Sequence, residues 1–147
     1  MTRHVGIDPG KTGAVGVLWE DGTQSVYDLN GSHADTVATL REVLENAPMS
    51  TLVTIERVHS MPKQGVTSSF TFGEGYGVLI GAVLAFGVRH QFVSPTVWKK
   101  RYGLTADKDE ARDEARRRFP AMSAELRRKK DNGRAEALLL AEYGAAH

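Results

Sequence analysis

The chain has 147 residues, no cysteine and a formal net charge of +1. This length predicts a single domain over residues 1–147, with enough core to fold without a disulfide or a structural metal. The lack of cysteine excludes a disulfide framework and a cysteine-type zinc site. The apolar stretches fall short of the roughly 18 residues of a spanning helix. The N-terminus MTRHVGIDPG has no apolar signal core, which predicts a cytoplasmic protein without a membrane partner.

The near-neutral total hides an uneven distribution of charge. The net charge is −4 over residues 1–88, +7 over residues 89–134 and −2 over residues 135–147. The basic segment contains three clusters, at residues 99–101, 116–118 and 127–130. Such clusters are typical of proteins that bind a polyanion, although solvated helix faces also carry many lysines and arginines. From charge alone the two interpretations stay open.

The residue pattern predicts a mixed α/β fold. Apolar runs and turn signals predict five strands, at residues 4–8, 13–19, 24–29, 52–56 and 90–94. Helical spacing predicts helices at residues 35–46, 70–86, 95–102, 107–119, 123–130 and 134–143. The polar stretch 59–69 is expected to be a mobile loop. Three antiparallel strands followed by alternating strands and helices predict a five-stranded mixed sheet with flanking helices.

The helix predicted over residues 70–86 contains glycines at regular spacing. Gly73, Gly77, Gly81 and Ala85 recur every four residues and form one stripe. Glycine costs about 1 kcal/mol in a helix relative to alanine, so a stripe indicates close approach of another backbone. The approaching element is either the sheet of the same domain or a second subunit.

Acidic residues at the ends of elements are the candidate chemical groups. Asp8 ends the first predicted strand and Glu56 the fourth, each after an apolar run. Parallel neighbouring strands would place the two acids at one sheet edge, where they repel unless a cation binds them. Mg²⁺ and Mn²⁺ prefer such oxygen ligands. Glu136, at the start of the last helix, is the best third ligand, and Asp131 is the next candidate. The alternative is that each acid caps a turn or pairs with an arginine.

Two other chemistries are excluded. The turn GIDPGKT resembles a phosphate-binding P-loop, but its spacing is one residue short and Pro9 removes a backbone donor. No nucleotide cofactor is therefore expected. The sequence also contains no defensible Ser-His-Asp or Cys-His nucleophile pattern.

Three segments together resemble the carboxylate motifs of the RuvC family of Holliday junction resolvases, especially its smaller phage-type members. They are GIDPGKTGAVGV, TIERVHS and KKDNGRAEALLLAEYG. The intervening SPTVWKKRYGLTADKDEARDEARRRFP resembles the basic segment of that family. The resemblance spans nearly the whole chain. It implies a ribonuclease H-like fold and a homodimer with two metal-bound sites, each nicking one of two opposed strands.

The resemblance also assigns roles to individual residues. It matches Asp8, Glu56 and Glu136 to acids of the family, while Gly133 stands where another acid is usual and Asp131 is expected to reach in instead. His59 lies where the family often has an aromatic residue that probes junction bases. Residues expected to contact DNA are His59, Lys99, Lys100, Arg101, Lys108, Arg116, Arg117, Lys129 and Lys130.

The sequence therefore predicts a nuclease that cuts branched DNA by paired nicks. Two Mg²⁺ ions per site, with Mn²⁺ as a substitute, would hydrolyse the phosphodiester while Asp8 bridges them. Three alternatives remain at this point: a ribonuclease H-like enzyme that processes ribosomal RNA, a junction-binding protein without activity, and a sugar kinase or actin-like ATPase. The last needs two such domains and more than twice this length.

Overall fold

A computed structural model describes residues 2–58 and 65–146 of the chain. Its five strands are β1 (His4–Asp8), β2 (Ala14–Leu18), β3 (Gln24–Asp28), β4 (Leu52–Glu56) and β5 (Arg89–Val93). Its five α-helices are α1 (His33–Leu44), α2 (Val66–Phe86), α3 (Pro95–Arg101), α4 (Lys108–Arg118) and α5 (Asn132–Ala146). Two 3₁₀ segments, Pro120–Leu126 and Lys129–Asp131, lead from α4 into α5.

The strands form one sheet in the order β3-β2-β1-β4-β5. β1, β2 and β3 are antiparallel, whereas β4 runs parallel to β1 and β5 parallel to β4. Ile7 pairs with Ile55, so the next residues along, Asp8 and Glu56, end neighbouring parallel strands at one edge. The predicted mixed sheet, and the meeting of its two strand-terminal acids, are confirmed.

The two faces of the sheet differ in the size of their side chains. Branched residues such as Val5, Ile7 and Ile55 are fully buried in a core with α1 and α2. The opposite face carries α5, which packs with α3 and α4 around the fully buried Trp98. The alternation follows from the period of two along a strand, which sends successive side chains to opposite faces.

Glycines bring α5 unusually close to the sheet. A Cβ at Gly6 of β1 would lie 2.5 Å from Ala141 N and nearer still to Ala137 O. A Cβ at Gly16 of β2 would lie 2.7 Å from Leu138 N. From the helix side, Gly144 abuts the Thr54 hydroxyl. Any side chain larger than hydrogen at these positions would push α5 outward.

The glycine stripe of α2 does not contact the sheet of its own chain in the part that the structure describes. Among the described residues, nothing lies within 4 Å of a Cβ built at Gly73, Gly77 or Gly81. Approach of the stripe to the chain's own sheet, one of the two expectations, is therefore wrong. The backbone approach occurs instead at α5, whose glycines are not arranged as a stripe.

Helix α2 is also longer and more apolar than expected. It begins at Val66, so residues 66–69 are helical rather than part of a loop. Its 21 residues make it long and apolar enough, by length and composition only, to cross a membrane. This corrects the expectation that apolar stretches are too short, because glycines between the apolar residues do not lower the mean hydropathy much. Only 17% of its most apolar window is buried within the described chain.

One predicted helix is absent. Residues 123–130 were expected to be helical, but the chain forms a 3₁₀ segment up to Leu126 and a second one from Lys129. Pro120 begins the first segment, and Met122 and Leu126 are buried from it. The burial of these two side chains in the core between α4 and α5 outweighs the helical propensity of the segment, so the chain forms 3₁₀ turns instead.

Candidate active site

Asp8 has the most perturbed environment of the acids. Burial of its carboxyl group raises its pKa well above the usual range, and the charges of Glu136 and Glu56 raise it further. The positive charges of Lys108 and Lys99 act in the opposite direction but do not outweigh these effects. The three acids predicted from the sequence are thus close enough to repel one another at the ends of β1, β4 and the start of α5.

Glu56 is held by a tryptophan that sequence reasoning did not connect with the site. The Nε1–H of buried Trp98 donates to Glu56 Oε2 at 2.8 Å. Burial raises the pKa of Glu56, the Trp98 hydrogen bond lowers it, and Glu136 raises it again. Ser94 caps α3 and Pro95 begins it, which fixes Trp98 one turn into the helix. That capped start, directly after a strand, was the only available signal for its placement.

Glu136 faces a lysine. Its Oε1 lies 3.4 Å from the Nζ of Lys99, which also lies 5.6 Å from the centre of the Trp98 ring. Both lysines expected to contact DNA near the acids, Lys99 and Lys108, therefore act electrostatically on Asp8 and Glu56. The acid cluster is bordered by cations on the α3 and α4 side.

Asp131 does not join the cluster. Its carboxylate accepts hydrogen bonds from the backbone N–H of Arg128 at 2.8 Å and from the Arg128 guanidinium at 3.0 and 3.2 Å. Burial would raise its pKa, but these bonds and the Arg128 and Arg134 charges hold it below the usual range. Arg134 in turn binds both carboxylate oxygens of Asp28 on β3. The expectation that Asp131 reaches the other acids is not met, because arginines fix it elsewhere.

Gly133 cannot carry the acid that the resemblance places there. A Cβ at this position would collide with Thr12 O and lie 3.2 Å from Gly13. The start of α5 packs directly on the β1–β2 turn, which leaves no room for a side chain. The departure from the family pattern therefore has a steric cause in this chain.

The remaining acids form a donor set that suits a hard divalent cation. Glu136 raises the pKa of both Asp8 and Glu56, and a cation that neutralises this charge would stabilise the group, whose donors are all oxygens. As placed, no three carboxylate or imidazole groups within residues 2–58 and 65–146 converge tightly enough to hold a metal ion. Glu56 is bonded to Trp98 and Glu136 faces Lys99.

The other predicted DNA contacts lie on the surface of the same half of the molecule. Lys100 and Arg101 are exposed on α3, Arg116 and Arg117 on α4, and Lys129 and Lys130 on the second 3₁₀ segment. Arg117 pairs with Glu114 through an i,i+3 ion pair. His59 lies outside the described residues, so its expected role stays a prediction.

Comparison with known proteins supports the fold. The architecture is ribonuclease H-like, with a mixed five-stranded sheet flanked by helices. Within that class the chain has a RuvC-like fold. It resembles "T. thermophilus RuvC in complex with Holliday junction substrate" with a TM-score of 0.63 and 19% identity, over 99% of this chain and 93% of that one. It resembles "Thermus thermophilus RuvC structure" with a TM-score of 0.59 and 22% identity, over 97% and 93%. No protein-family model and no curated protein matches the chain.

Proposed function

We propose that this chain is a divalent-metal-dependent endonuclease that resolves four-way or branched DNA junctions by paired nicks. The observation that carries the proposal is the meeting of Asp8, Glu56 and Glu136 at one edge of a RuvC-like fold, where each acid affects the pKa of Asp8. One of the similar solved structures contains a Holliday junction substrate. The expected setting is the cytoplasm of a bacterium or of a phage-infected cell.

The three acids have separable tasks in this proposal. Asp8, Glu56 and Glu136 would together hold Mg²⁺ or Mn²⁺, with Asp8 as the shared ligand and one glutamate on either side of it. Bound there, the ions would supply an activated water and stabilise the leaving oxygen. Trp98 orients the Glu56 carboxylate through its hydrogen bond. Lys99 and Lys108 place positive charge beside the phosphate that enters the site.

The exposed basic residues of α3, α4 and the second 3₁₀ segment would hold the DNA arms. Contacts of this kind bind phosphates and fix the register of the DNA without reading its sequence. The segment from residue 89 to 134 carries the net charge of +7 that such contacts need. Junction affinity should therefore fall steeply with salt.

We further propose that a second copy of the chain covers α2. The helix exposes Val66, Phe70 and Leu84 at 87%, 72% and 58% of their surface. Its glycine stripe meets nothing within the described chain, so another helix can approach its backbone closely. Two copies joined in this way provide the two active sites that paired nicks require.

The dimer is tested by adding bulk to the stripe. Leucine forms helix better than glycine, so Gly77→Leu should fold while its side chain blocks the approach of a partner. Sedimentation velocity should give a dimer for the wild type and for Ala38→Leu on the exposed side of α1, and a monomer for Gly77→Leu. A wild-type monomer at micromolar concentration, or partition of the wild type into lipid vesicles, would contradict a dimer through α2.

The nuclease proposal is tested with purified protein and a synthetic four-way junction in Mg²⁺ or Mn²⁺. Symmetrical paired nicks with 5′-phosphate ends are expected, and Asp8→Asn should abolish them while junction binding persists. Parallel reactions with DNA flaps and structured RNA separate the proposal from an RNA-processing nuclease. Binding without any nick in either metal would instead indicate a non-catalytic junction-binding protein.

A further inference from the structure

A cleft lies beside the acid cluster, on the α2 face of the sheet rather than on the face of the predicted basic residues. Its volume is about 510 Å³, and it lies between the β1–β2 turn, the start of α1 and the first half of α2. Its lining includes Lys11 and the hydroxyl residues Thr67, Ser68 and Thr71. The described lining contains no carboxylate residue. Lys11 and these hydroxyls can bind an anionic group at the rim of an otherwise neutral cleft.

The cleft is connected to the acid cluster at two points. Gly10 and Lys11 of its lining follow Asp8 in the turn after β1. Tyr76, on its α2 wall, donates its hydroxyl hydrogen bond to the backbone O of Glu56 at 3.1 Å. The cleft is therefore adjacent to the strand ends that carry Asp8 and Glu56.

Arg57 extends the positive charge around this edge. It follows Glu56, and its backbone N–H donates to Val93 O at 2.8 Å, so the sheet ladder still fixes its position. Strand alternation turns its side chain to the face opposite Glu56, where the guanidinium lies 4.9 Å from the centre of the Phe92 ring. The side chain is exposed and has no carboxylate partner among the described ion pairs.

The cations and hydroxyls around the cleft match one ligand chemistry. Phosphate oxygens of DNA accept hydrogen bonds from lysine and arginine and from serine, threonine and tyrosine hydroxyls. His33 at the cleft is already engaged by Glu74 at 2.9 Å, which leaves Lys11 as the unengaged cation in the described lining. Arg57 lies close enough to Tyr76 for its charge to affect that side chain.

We propose that this cleft holds the sugar–phosphate backbone of the cleaved strand after it passes the acid cluster, with Lys11 and Arg57 contacting its phosphates. The proposal rests on the nuclease function above and adds a second DNA-binding surface, on the opposite face of the sheet from α3 and α4. Neither residue belongs to the basic segment of residues 89–134.

The salt dependence of junction binding tests these contacts without any need for cleavage. Each lost phosphate contact should reduce the slope of log affinity against log salt by about 0.9. Lys11→Ala and Arg57→Ala should each show this reduction, the double variant about twice it, and Arg57→Lys almost none. Arg41→Ala removes an exposed charge near the opposite edge, where Val43 contacts Arg3, and should leave the slope unchanged.

A chemical probe identifies the group that the cleft binds. A set of junctions is made, each with one neutral methylphosphonate or one abasic site. The modification is moved in turn through the positions around the mapped nick. The wild type should bind roughly tenfold more weakly when a methylphosphonate stands at one or two of these positions. The Lys11→Ala, Arg57→Ala double variant should bind the modified and unmodified junctions equally, because its phosphate contacts are already lost. Loss at an abasic position but at no methylphosphonate would overturn the proposal, because the cleft would then bind a base.

Blocking the cleft gives an independent readout. Gly75 lines it, and nothing described lies within 4 Å of a Cβ there. Gly75→Phe should fill the cleft and weaken junction binding, whereas Gly75→Ala should bind like the wild type. Unchanged salt slopes in Lys11→Ala and Arg57→Ala, or normal binding by Gly75→Phe, would refute the cleft while nicking by the wild type still upholds the nuclease. If the variants have reduced salt slopes but the wild type nicks no substrate, the nuclease proposal is refuted and the cleft contacts are upheld.

Discussion

Replacing Gly6 by alanine tests whether glycine contacts set the position of helix α5, which carries Glu136. The added Cβ would lie 2.5 Å from Ala141 N, 2.9 Å from Leu140 Cβ and closer still to Ala137 O. Ordinary contacts of a Cβ begin at 3.4 Å. Both β1 and α5 are rigid backbone here, so relief requires the helix to move outward by about 1 Å at this level.

The energetic cost follows from the size of this displacement. Overpacking of a rigid core costs about 1 to 3 kcal/mol and occasionally more, and three backbone or near-backbone contacts place Gly6→Ala at about 3 kcal/mol. For a domain of this size that is roughly 6 to 12 °C in Tm. Glu136 lies on α5 one residue from Ala137, so it moves with the helix away from Asp8. A misplacement of about 1 Å reduces catalysis by roughly 100-fold.

Thermal unfolding followed by circular dichroism, together with the junction-nicking rate, measures both effects. Gly75→Ala is the matched control, since it adds the same methyl group where nothing described is within 4 Å. It should keep or raise Tm, because alanine favours helix by up to about 1 kcal/mol. A Gly6→Ala protein with Tm within about 2 °C of the wild type and an unchanged rate would show that the close helix–sheet contact does not position the site.

Three further outcomes are expected. Because burial and two neighbouring acids raise the pKa of Asp8, the native state holds that proton more tightly than the unfolded chain. In metal-free buffer the free energy of unfolding should therefore fall as pH rises above about 4, and Asp8→Asn should make this fall smaller in urea titrations at several pH values, leaving the part that Glu56 contributes. Trp98→Phe should destabilise the fold by about 2 to 4 kcal/mol, through the lost hydrogen bond to Glu56 and a small cavity, whereas an unchanged urea midpoint would mean that the bond contributes nothing. Gly133→Asp, which introduces the acid that the resemblance places at this position, should cost about 2 kcal/mol through collision with Thr12 O, and a gain in nicking rate would contradict the steric argument.

Much of the sheet was predictable because strands and tight turns depend on residues that are close together in the sequence. Apolar runs that end in an acid gave β1 and β4 with the bounds found in the structure, and Asp21-Gly22 gave the β2–β3 hairpin. Helix starts were less accurate: α2 begins four residues before its predicted start, since polar serines and threonines occupy its exposed first turn.

The site was predictable only in part, because side-chain partners depend on residues far apart in the chain. Asp8, Glu56 and Glu136 were identified from their positions after apolar runs or at a helix start. The partner of Glu56 is 42 residues away at Trp98, and nothing local indicates that pairing. Asp131 is bonded to Arg128 in the structure, a contact that its sequence distance from Glu136 does not indicate.

The sequence by itself determined the order of the elements, the strand-terminal acids and the change of charge along the chain, because periodicity, turn chemistry and charge are properties of neighbouring residues. Tertiary structure decided which glycines are crowded. Those of β1, β2 and α5 bring the helix onto the sheet, whereas those of α2 face open space in the described chain. Tertiary structure also decided that the Arg57 guanidinium lies over the Phe92 ring, on the sheet face opposite Glu56. Such differences depend on the packing of distant segments, which no local pattern records.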